Sequence, residues 1–260
     1  MSTASFPSNT VIIIPTLSNT EGLLSVLNDI QSMFGSSAPV IVVNNSANTL
    51  NVKADVINQG KNTGFARAVN DGARLAISKY KATYLVFLND DVSFKNDWVA
   101  QCFDCIKTNG WSAAAPILIT DGAAENYGYT VLKTGKVALN MNQENTQIDG
   151  ITAAALVMTA AAFTTLNGFD QKFFAYLEDV DLFLRMKKNN LTFGLCTDAH
   201  VYHKGHKTSA RMPVRKAWWD LRNWIIVIAK NWTWDDFRQN FWGILLERLR
   251  NISGLIKALF

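Results

Sequence analysis

Short, unbroken apolar runs alternate with helix-period segments along the first two thirds of the chain. The runs are VIIIP at 11–15, VIVV at 40–43, YLVFL at 84–88 and AAAPILI at 113–119. They lack the polar alternation of a half-exposed strand, which predicts strands that are buried on both faces. The helical segments lie at about 21–34, 65–78 and 96–108. This order predicts an α/β fold with a mostly parallel, doubly wound sheet.

The pattern changes after residue 120. Residues 121–148 are polar and contain three glycines, which predicts a hairpin. We interpret ITAAALVMT at 151–159 as a strand followed by a short helix, although its periodicity also fits a helix. From about Pro213 the apolar positions predict two further helices.

Composition and charge separate the body of the chain from its tail. The chain is 48% hydrophobic and 18% charged, which excludes a disordered protein. Residues 201–260 carry 11 Lys and Arg against 4 Asp and Glu, whereas residues 1–200 carry 14 against 17. Six of the eight tryptophans also lie in the tail. We therefore expect a main domain over residues 1–212 and a helical extension over residues 213–260.

Neither the N-terminus nor the cysteines indicate export. The first ten residues have no basic and apolar segments of a signal peptide, and WIIVIA at 224–229 is too short to span a bilayer. Three cysteines are too few for a disulfide framework. The CxxC formed by Cys102 and Cys105 lacks a second pair, so we expect structural cysteines and a reducing, cytoplasmic compartment.

Polar residues directly follow three of the predicted strands. Pro15 to Ser18, Asn44 to Ser46 and Asn89 to Asp91 should meet in one crevice, because the carboxyl ends of parallel strands share one edge of the sheet. In LNDDV, the adjacent Asp90 and Asp91 suit a hard divalent cation. An Asp pair that caps the next helix is the alternative.

The segment NTGFARAVNDG at 62–72 opens a helix with a turn at Asn62, Thr63 and Gly64. Backbone N–H groups at a helix N-terminus favour phosphate, and Arg67 adds a positive charge one turn in. An ordinary capped helix is the alternative. The segment is neither a Walker loop nor a GxGxxG motif.

The apolar segment FFAYLEDVDLFLR at 173–185 carries three carboxylates. Asp181 and Arg185 have the spacing of an ion pair on one helix face, which an ordinary helix explains. The adjacent Glu178 and Asp179 have no such explanation. Because an ionised carboxylate is costly to bury without a partner, this pair is a candidate site.

All three histidines of the chain lie within AHVYHKGHKTS at 199–209. Their HxxHxxH spacing raises the hypothesis of a zinc site, but it lacks an obvious Cys or Glu partner. We favour at least one of these histidines as a site residue.

Together, these motifs resemble the inverting glycosyltransferases of family 2, which have the nucleotide-sugar-binding GT-A fold. The resemblance rests on the order of VIIIPT, IVVNNS, NTGFARAVNDG, LNDDV, GFDQKFFAYLEDVDLFLR and VYHKGHKTS, and it covers about residues 10–230. The most similar subgroup is rhamnosyltransferase-like and builds bacterial surface polysaccharides. Each motif alone is weak, whereas their joint spacing is specific.

The resemblance implies a role for each candidate residue. Asp179 would be the catalytic base, with Glu178 tuning it. Asp91 would hold Mg²⁺ or Mn²⁺ on the diphosphate, and His203 would approach the same metal. The nucleotide sugar would be bound by Pro15, Thr16, Ser18, Asn44, Asn62, Gly64, Arg67, Asn89 and Asp90.

The activity implied is metal-dependent, inverting transfer from a UDP- or dTDP-sugar to a glycan or lipid-linked acceptor. Three departures from the family pattern are Leu17–Ser18, where Tyr-Asn is often found, Asn44, where an Asp is usual, and TAAAL at 152–156, where many relatives have Gly. The alternatives are a sugar nucleotidyltransferase, for which LSNTEG lacks basic residues, and a catalytically degenerate protein that only binds nucleotide sugar.

The last predicted helix has an apolar stripe, which we call the tail stripe. It consists of Phe237, Phe241, Leu245, Leu249, Ile252, Ile256 and Leu259. With the nearby tryptophans, the stripe predicts peripheral binding to the inner face of the cytoplasmic membrane. Packing on the catalytic domain, or a homodimer, is the alternative. No nucleic-acid motif accompanies the basic tail, so we expect no nucleic-acid partner.

Overall fold

The computed structural model describes residues 6–143, 147–203 and 213–259. The helices of these ranges are α1 (Thr20–Phe34), α2 (Phe65–Tyr80), α3 (Trp98–Asn109), α4 (Ala160–Thr165), α5 (Glu178–Lys188), α6 (Pro213–Asn231) and α7 (Trp234–Leu259). The strands are β1 (Thr10–Thr16), β2 (Val40–Asn44), β3 (Asp55–Asn58), β4 (Tyr84–Leu88), β5 (Val92–Ser93), β6 (Ala113–Thr120), β7 (Ala123–Ala124), β8 (Tyr129–Leu132), β9 (Lys136–Leu139), β10 (Ala155–Thr159) and β11 (Phe193–His203). The predicted alternation of strands and helices is confirmed, and so is the polar hairpin, as β8 and β9.

One sheet forms the centre of the described residues, with the order β3-β2-β1-β4-β10-β6-β11-β5. Strands β1 to β4 are mutually parallel, and β6 is parallel to β11. Strand β10 lies between β4 and β6 and is antiparallel to both. The predicted α/β class is therefore confirmed, while the antiparallel insertion departs from a purely parallel order.

Apolar side chains cover both faces of this sheet, as the unbroken apolar runs predict. On one face, Leu23, Val26 and Ile30 of α1 pack with Trp98 and Cys102 of α3. On the other face the sheet is covered by α2, α4 and α5. Since both faces carry helices, the strands contribute alternate residues to two separate cores.

Strand β11 contains a bulge that changes its register on β6. Cys196 pairs with Pro116, whereas the next paired residue, His200, pairs with Ile117. Beyond the bulge, His203 pairs with Val92 of β5 in antiparallel fashion. The bulge therefore sets the position at which His203 leaves the sheet.

A third apolar cluster joins the hairpin to the C-terminal helices. Tyr129 and Val131 of β8 pack with Val180 of α5 and with Trp224 and Val227 of α6. The predicted pair of C-terminal helices is confirmed as α6 and α7. Helix α6 is thus part of a core that also contains the catalytic candidate helix α5.

Helix α7 packs mainly through one side. Ile244 is 6% exposed, whereas Leu249 and Ile256 of the tail stripe are 52% and 51% exposed. Arg248, which the sequence places within the stripe, instead turns inward and donates to the Gly135 carbonyl at 2.6 Å. Apart from the half-buried Phe237, the tail stripe faces solvent.

The cysteines do not act as a CxxC unit. Cys102 is free and buried in the core, whereas Cys105 of α3 forms a disulfide with Cys196 of β11. This bridge spans 91 residues, so no local spacing could have predicted it. A single bridge between a helix and a core strand is a structural element, as expected for these cysteines, although a disulfide does not follow from the expectation of a reducing compartment.

Across the three described ranges, every helix falls short of the length and apolar character that a bilayer span requires.

Candidate active site

The polar ends of β1 and β4 meet in one crevice, as the sheet topology predicts. Thr16 Oγ1 donates to Asp90 Oδ2 at 2.6 Å. Asn19 Nδ2 donates to the Asp90 carbonyl at 2.9 Å, and Asn19 Oδ1 caps α1 by accepting from Gly22 N. These bonds fix the loop after β4 against the start of α1.

Gly22 allows this close approach. A Cβ at residue 22 would lie 2.3 Å from the Asp90 carbonyl oxygen, which no side chain can tolerate without movement. Burial also raises the pKa of Asp90 to about 6, although its hydrogen bonds with Thr16 and Asn19 act in the opposite direction. Asp90 is therefore a backbone-anchored, enclosed carboxylate at the strand end.

Asn45, which the sequence analysis did not single out, organises the NTG turn. Its Oδ1 accepts from the Thr63 N–H at 2.8 Å and from the Thr63 hydroxyl at 2.9 Å. Its Nδ2 donates to Asn62 Oδ1 and to the Gly64 carbonyl, both at 3.2 Å. The side chain thus ties the end of β2 to the start of α2, where Asn62 in turn accepts from the Gly64 N–H.

The other residues predicted to bind nucleotide differ in solvent exposure and in whether their side chains already form hydrogen bonds. Asn44 is buried, and its amide donates to the Asn48 carbonyl and to Asn58 while its oxygen accepts from Ser46. Its side chain therefore supports the loop after β2. Pro15 lies in β1 and Asn89 follows β4, whereas Ser18, Asn62 and Arg67 are exposed around the crevice.

Asp91 and His203 come together from distant parts of the chain. His203 Nε2 lies 3.4 Å from Asp91 Oδ1, and His203 Nδ1 lies 2.8 Å from Glu125 Oε1. These two carboxylates, with Asp91 the stronger influence, raise the pKa of His203 to about 9. Glu125 was missed by the sequence analysis, because its partner is 78 residues away.

The Asp91–His203 pair fits a divalent cation that keeps other ligands and that replaces the proton of His203, because only a neutral imidazole binds a metal. Asp91 Oδ1 is buried and has no hydrogen-bond partner among the described residues, and 3.4 Å is longer than a well-formed hydrogen bond. Ligand distances of about 2.1 Å place neighbouring ligand atoms about 3 Å apart or slightly more. No group of three or more His, Cys, Asp or Glu side chains suited to a metal occurs among the described residues. Further ligands would therefore come from water or from phosphate.

Glu178 and Asp179 open helix α5 at the same edge of the sheet. Asp179 accepts from its neighbour Val180 N at 2.8 Å and from the backbone of Ala153. The next residue, Ala154, accepts from the Asn89 N–H at 2.9 Å. Two consecutive backbone groups therefore connect Asp179 to the Asn89–Asp91 segment.

This pair is half-buried, and its acidity changes accordingly. Burial raises the pKa of both carboxyls, and the charge of Asp179 raises the pKa of Glu178 further. Hydrogen bonds from Val180 and Ala153 favour ionised Asp179. We therefore assign the first ionisation of the pair to Asp179.

Tyr129 is a further polar group beside this pair that the sequence analysis missed. It is 5% exposed, and its hydroxyl has no hydrogen-bond partner within the described part of the chain. Burial raises its pKa, and Asp179, Glu178 and Asp149 add to that increase. The oxygen Oε2 of Glu178 is likewise buried without a partner among these residues.

Asp181 has the structural role that its spacing predicts. It is fully buried and accepts from Arg185 Nε at 2.7 Å. It also pairs with Lys230 of α6, which the sequence did not indicate. Arg185 donates to the Leu166 and Gly168 carbonyls as well, so the ion pair locks α5 in place.

The zinc hypothesis concerns three histidines, of which His206 lies outside the described residues. His200 contacts the Asp198 carbonyl, and its neighbour three residues on, His203, faces Asp91 and Glu125. The described part of the histidine motif therefore contributes one residue to the crevice.

Two family models match the sequence. The model described as glycosyl transferase family 2 matches residues 11–164, which is more than half of the chain. The model described as N-terminal domain of galactosyltransferase matches residues 134–207. Together these matches include the strand ends, the hairpin, the Glu178–Asp179 pair and His203.

Individual proteins are more distant. Rhamnosyltransferase WbbL of Escherichia coli (strain K12) is 23% identical over 186 residues, which cover 64% of this chain and 70% of that protein. Low-salt glycan biosynthesis hexosyltransferase Agl10 of Haloferax volcanii is 20% identical over 191 residues, which cover 68% of this chain and 62% of that protein.

A similar solved structure is that of GalNAc-T7 with UDP, GalNAc and Mn²⁺, with a TM-score of 0.64 and 12% identity. The similarity covers 85% of this chain and 47% of GalNAc-T7. At this identity the comparison establishes the fold, which is of the GT-A type.

Proposed function

Because the chain belongs to glycosyl transferase family 2, we propose that it transfers a sugar from a nucleotide diphosphate sugar to a hydroxyl group of a glycan or lipid-linked acceptor. The reaction inverts the anomeric carbon and serves the synthesis of a surface polysaccharide. A rhamnosyltransferase and a hexosyltransferase among the relatives support a hexosyl or deoxyhexosyl donor.

One observation carries this proposal: a carboxylate pair and a cation-compatible pair lie at the same strand ends. Asp179 is connected to the Asn89–Asp91 segment through Ala153 and Ala154. Asp91 and His203 face each other across 3.4 Å at that segment. A donor with its diphosphate near Asp91 would therefore present its sugar toward Asp179.

The chain's own residues divide the work of a single displacement. Asp179 accepts the proton of the acceptor hydroxyl as that oxygen attacks the anomeric carbon. Asp91 and His203 would hold Mg²⁺ or Mn²⁺, which when bound stabilises negative charge on the departing diphosphate. Attack from the side opposite the diphosphate gives inversion. Glu178 stays protonated in the range in which Asp179 acts, because its pKa is raised further.

The nucleoside would lie at the ends of β1 and β2. A hydrogen-bonded surface lies there, formed by Thr16, Asp90 and the turn at Asn62–Gly64 that Asn45 supports. Arg67 extends from the first turn of α2, where the helix N-terminus favours phosphate. UDP- and dTDP-sugars are the donors to test first, since UDP accompanies Mn²⁺ in the similar GalNAc-T7 structure.

The first experiment separates the base from donor binding. Wild type and Asp179→Asn are compared for release of nucleoside diphosphate from the UDP- or dTDP-sugar that raises thermal stability most with Mn²⁺. Removal of the base should lower turnover by about 10³-fold. The affinity for UDP or dTDP should change less than about twofold. An equal loss of binding and turnover would contradict the base assignment, and binding without turnover by the wild type would support a degenerate protein.

The pH profile of Glu178→Gln provides the second part of this test. A carboxylate base works only when ionised, so activity should fall as the pH drops through the raised pKa of Asp179. Glu178→Gln should leave this acidic limb in place, since Glu178 is already neutral there. If the limb moves to the ordinary carboxyl range, about pH 4, the order of ionisation is reversed.

The tail stripe is a membrane-binding surface at the inner face of the cytoplasmic membrane. Its residues project from α7 with Trp234 and Trp242, which are 73% and 78% exposed. Exposed Arg250 and Lys257 flank the apolar face, which suits anionic lipid headgroups. An apolar cleft of about 460 Å³ between α6 and α7, lined by residues such as Ile225, Ile228 and Phe237, offers further room for acyl chains.

A single charge tests this surface. Leu249→Glu places a carboxylate within the stripe, and Gln239→Glu places the same charge on the exposed polar side of α7. Flotation with phosphatidylglycerol vesicles should decrease at least tenfold for Leu249→Glu and little for Gln239→Glu. If neither variant changes flotation, while Leu249→Glu converts a dimer to a monomer in light scattering, the stripe is a homodimer interface instead.

A further inference from the structure

The segment before Glu178 has an unusual backbone. Tyr176 and Leu177 have φ values of 67° and 64°, so two consecutive non-glycine residues occupy the left-handed region. Such residues are unfavourable and persist only where surrounding contacts impose them. Helix α5 begins at the next residue, so the conformation of this pair sets the direction in which the Glu178 and Asp179 side chains leave the backbone.

One side chain from α6 holds this segment. Asn223 is completely buried, and its Nδ2 donates to the Ala175 carbonyl and to the Tyr176 carbonyl, both at 2.8 Å. Its Oδ1 accepts from Arg222 Nη1 at 2.9 Å. Both amide hydrogens are therefore bonded, one to the carbonyl before the left-handed pair and one to the carbonyl of its first residue.

Neighbouring contacts from α6 hold the same segment from its other end. Trp219 stacks on Phe174 with ring centroids 5.1 Å apart, and Arg222 also donates to the Lys172 carbonyl at 2.9 Å. The Phe174 carbonyl accepts from the Phe65 N–H at the start of α2. The segment thus touches the turn proposed for the donor phosphate, while Asn223 acts at its end nearest to Asp179.

We propose that Asn223 is a positioning residue that imposes the left-handed pair at Tyr176 and Leu177 and thereby aims the carboxylates of Glu178 and Asp179. This inference rests on the proposed function, because it takes Asp179 as the base. The sequence-based division at residue 212 places helix α6 in an extension outside the catalytic domain. With this inference, α6 helps to position the base. Asn223 does not touch the substrate and acts only through the backbone.

The main test compares two asparagines of α6. Asn223→Ala removes both hydrogen bonds to the segment, whereas the control Asn231→Ala removes an amide that donates only to Val227 of its own helix. Turnover is measured as nucleoside diphosphate release from the selected UDP- or dTDP-sugar. We expect Asn223→Ala to lower kcat at least 30-fold, with donor KM and UDP or dTDP affinity within threefold of wild type. Asn231→Ala should stay within twofold.

Hydrogen exchange gives a readout that requires no substrate. Amides of residues 175–181 should exchange at least tenfold faster in Asn223→Ala, while those of β1, β4 and α2 should remain unchanged. Replacing Tyr176 by glycine in the Asn223→Ala background should restore part of kcat, because glycine adopts positive φ readily. If Asn223→Ala does not fold, Asn223→Ser, which keeps one donor, is judged by the same criteria against Asn231→Ser.

Three results would overturn the inference. The first is a kcat of Asn223→Ala within twofold of wild type. The second is a loss of kcat that Asn231→Ala reproduces. The third is faster amide hydrogen exchange throughout the protein together with loss of nucleotide binding. If Asp179→Asn retains full turnover, the base assignment fails, and the positioning role fails with it. If the wild type binds UDP or dTDP without turnover, the proposed function itself fails. If Asp179→Asn is inactive while Asn223→Ala is normal, only the positioning role fails.

Discussion

The two sides of the crevice differ in how their polar groups are satisfied. On the side of Thr16, Asn45 and Asp90, side chains bind one another and nearby backbone through at least six hydrogen bonds. On the side of Tyr129 and Glu178, a hydroxyl and a carboxylate oxygen are buried without partners among the described residues. The polar groups of the first side are already held in place, while the second still has unused hydrogen-bonding capacity among the described residues.

Asp91 follows Asp90 in the chain, and its substitution should have the largest effect of the three that probe this comparison. Asp91→Asn keeps the size of the side chain but removes the charge that a divalent cation requires. We expect turnover to fall by about 10²- to 10³-fold. Calorimetry should also show at least tenfold weaker binding of UDP or dTDP in Mn²⁺, with little change in its absence. The control is Asp198→Asn, an exposed carboxylate on β11. Equal Mn²⁺ dependence in wild type and Asp91→Asn would refute the role of Asp91.

Asn45→Ala breaks the hydrogen-bonded side and should have an intermediate effect. It removes the bonds to Thr63, Asn62 and the Gly64 carbonyl, so the free energy of unfolding should decrease by about 1–3 kcal/mol. Nucleotide affinity should fall about tenfold, because the turn must then be ordered on binding. Denaturant unfolding and calorimetry measure the two effects. Asn109→Ala, which loses one bond to its own helix, should change neither. Normal affinity in a destabilised Asn45→Ala would separate the turn from the nucleotide site.

Tyr129→Phe probes the unsatisfied side and should have the smallest effect on stability. Because the hydroxyl has no partner among the described residues, its removal should leave the free energy of unfolding unchanged or raise it by about 1 kcal/mol. The kcat/KM for the acceptor should fall several-fold, mainly through a higher KM. Tyr127→Phe on the neighbouring loop is the control. A clear loss of stability in Tyr129→Phe would show that the hydroxyl is already paired, and the contrast between the two sides would disappear.

The sequence was sufficient for features with a local signature. Unbroken β-branched runs predict buried strands because the apolar pattern of each strand reflects its own burial. The rule that parallel strands share a ligand-binding edge then brings Thr16, Asp90 and Asp91 together without knowledge of side-chain contacts. The Asp181–Arg185 pair is equally local, since four residues span one helical turn.

Other features depend on partners that are distant in sequence. The position of β10 between β4 and β6 is a choice among sheet neighbours that the composition of a strand does not encode. Glu125 has no motif around it and acquires its role only from His203. Asn223 resembles any polar residue in an amphipathic helix until Ala175 and Tyr176 are placed against it. These contacts are tertiary, and so neither propensity nor spacing could predict them.

The bulge in β11 changes which face of the sheet each later side chain of the strand occupies. Three residues, Thr197, Asp198 and Ala199, separate Cys196 from His200 where β6 has none between Pro116 and Ile117. Side chains of a strand alternate between its faces, so an odd insertion exchanges the faces of every later residue. Without this insertion, the His203 side chain would lie on the opposite face of the sheet. The side chains next to it in sequence would then occupy the face on which His203 now lies. The position of a candidate cation ligand is thus fixed by the number of residues in the bulge.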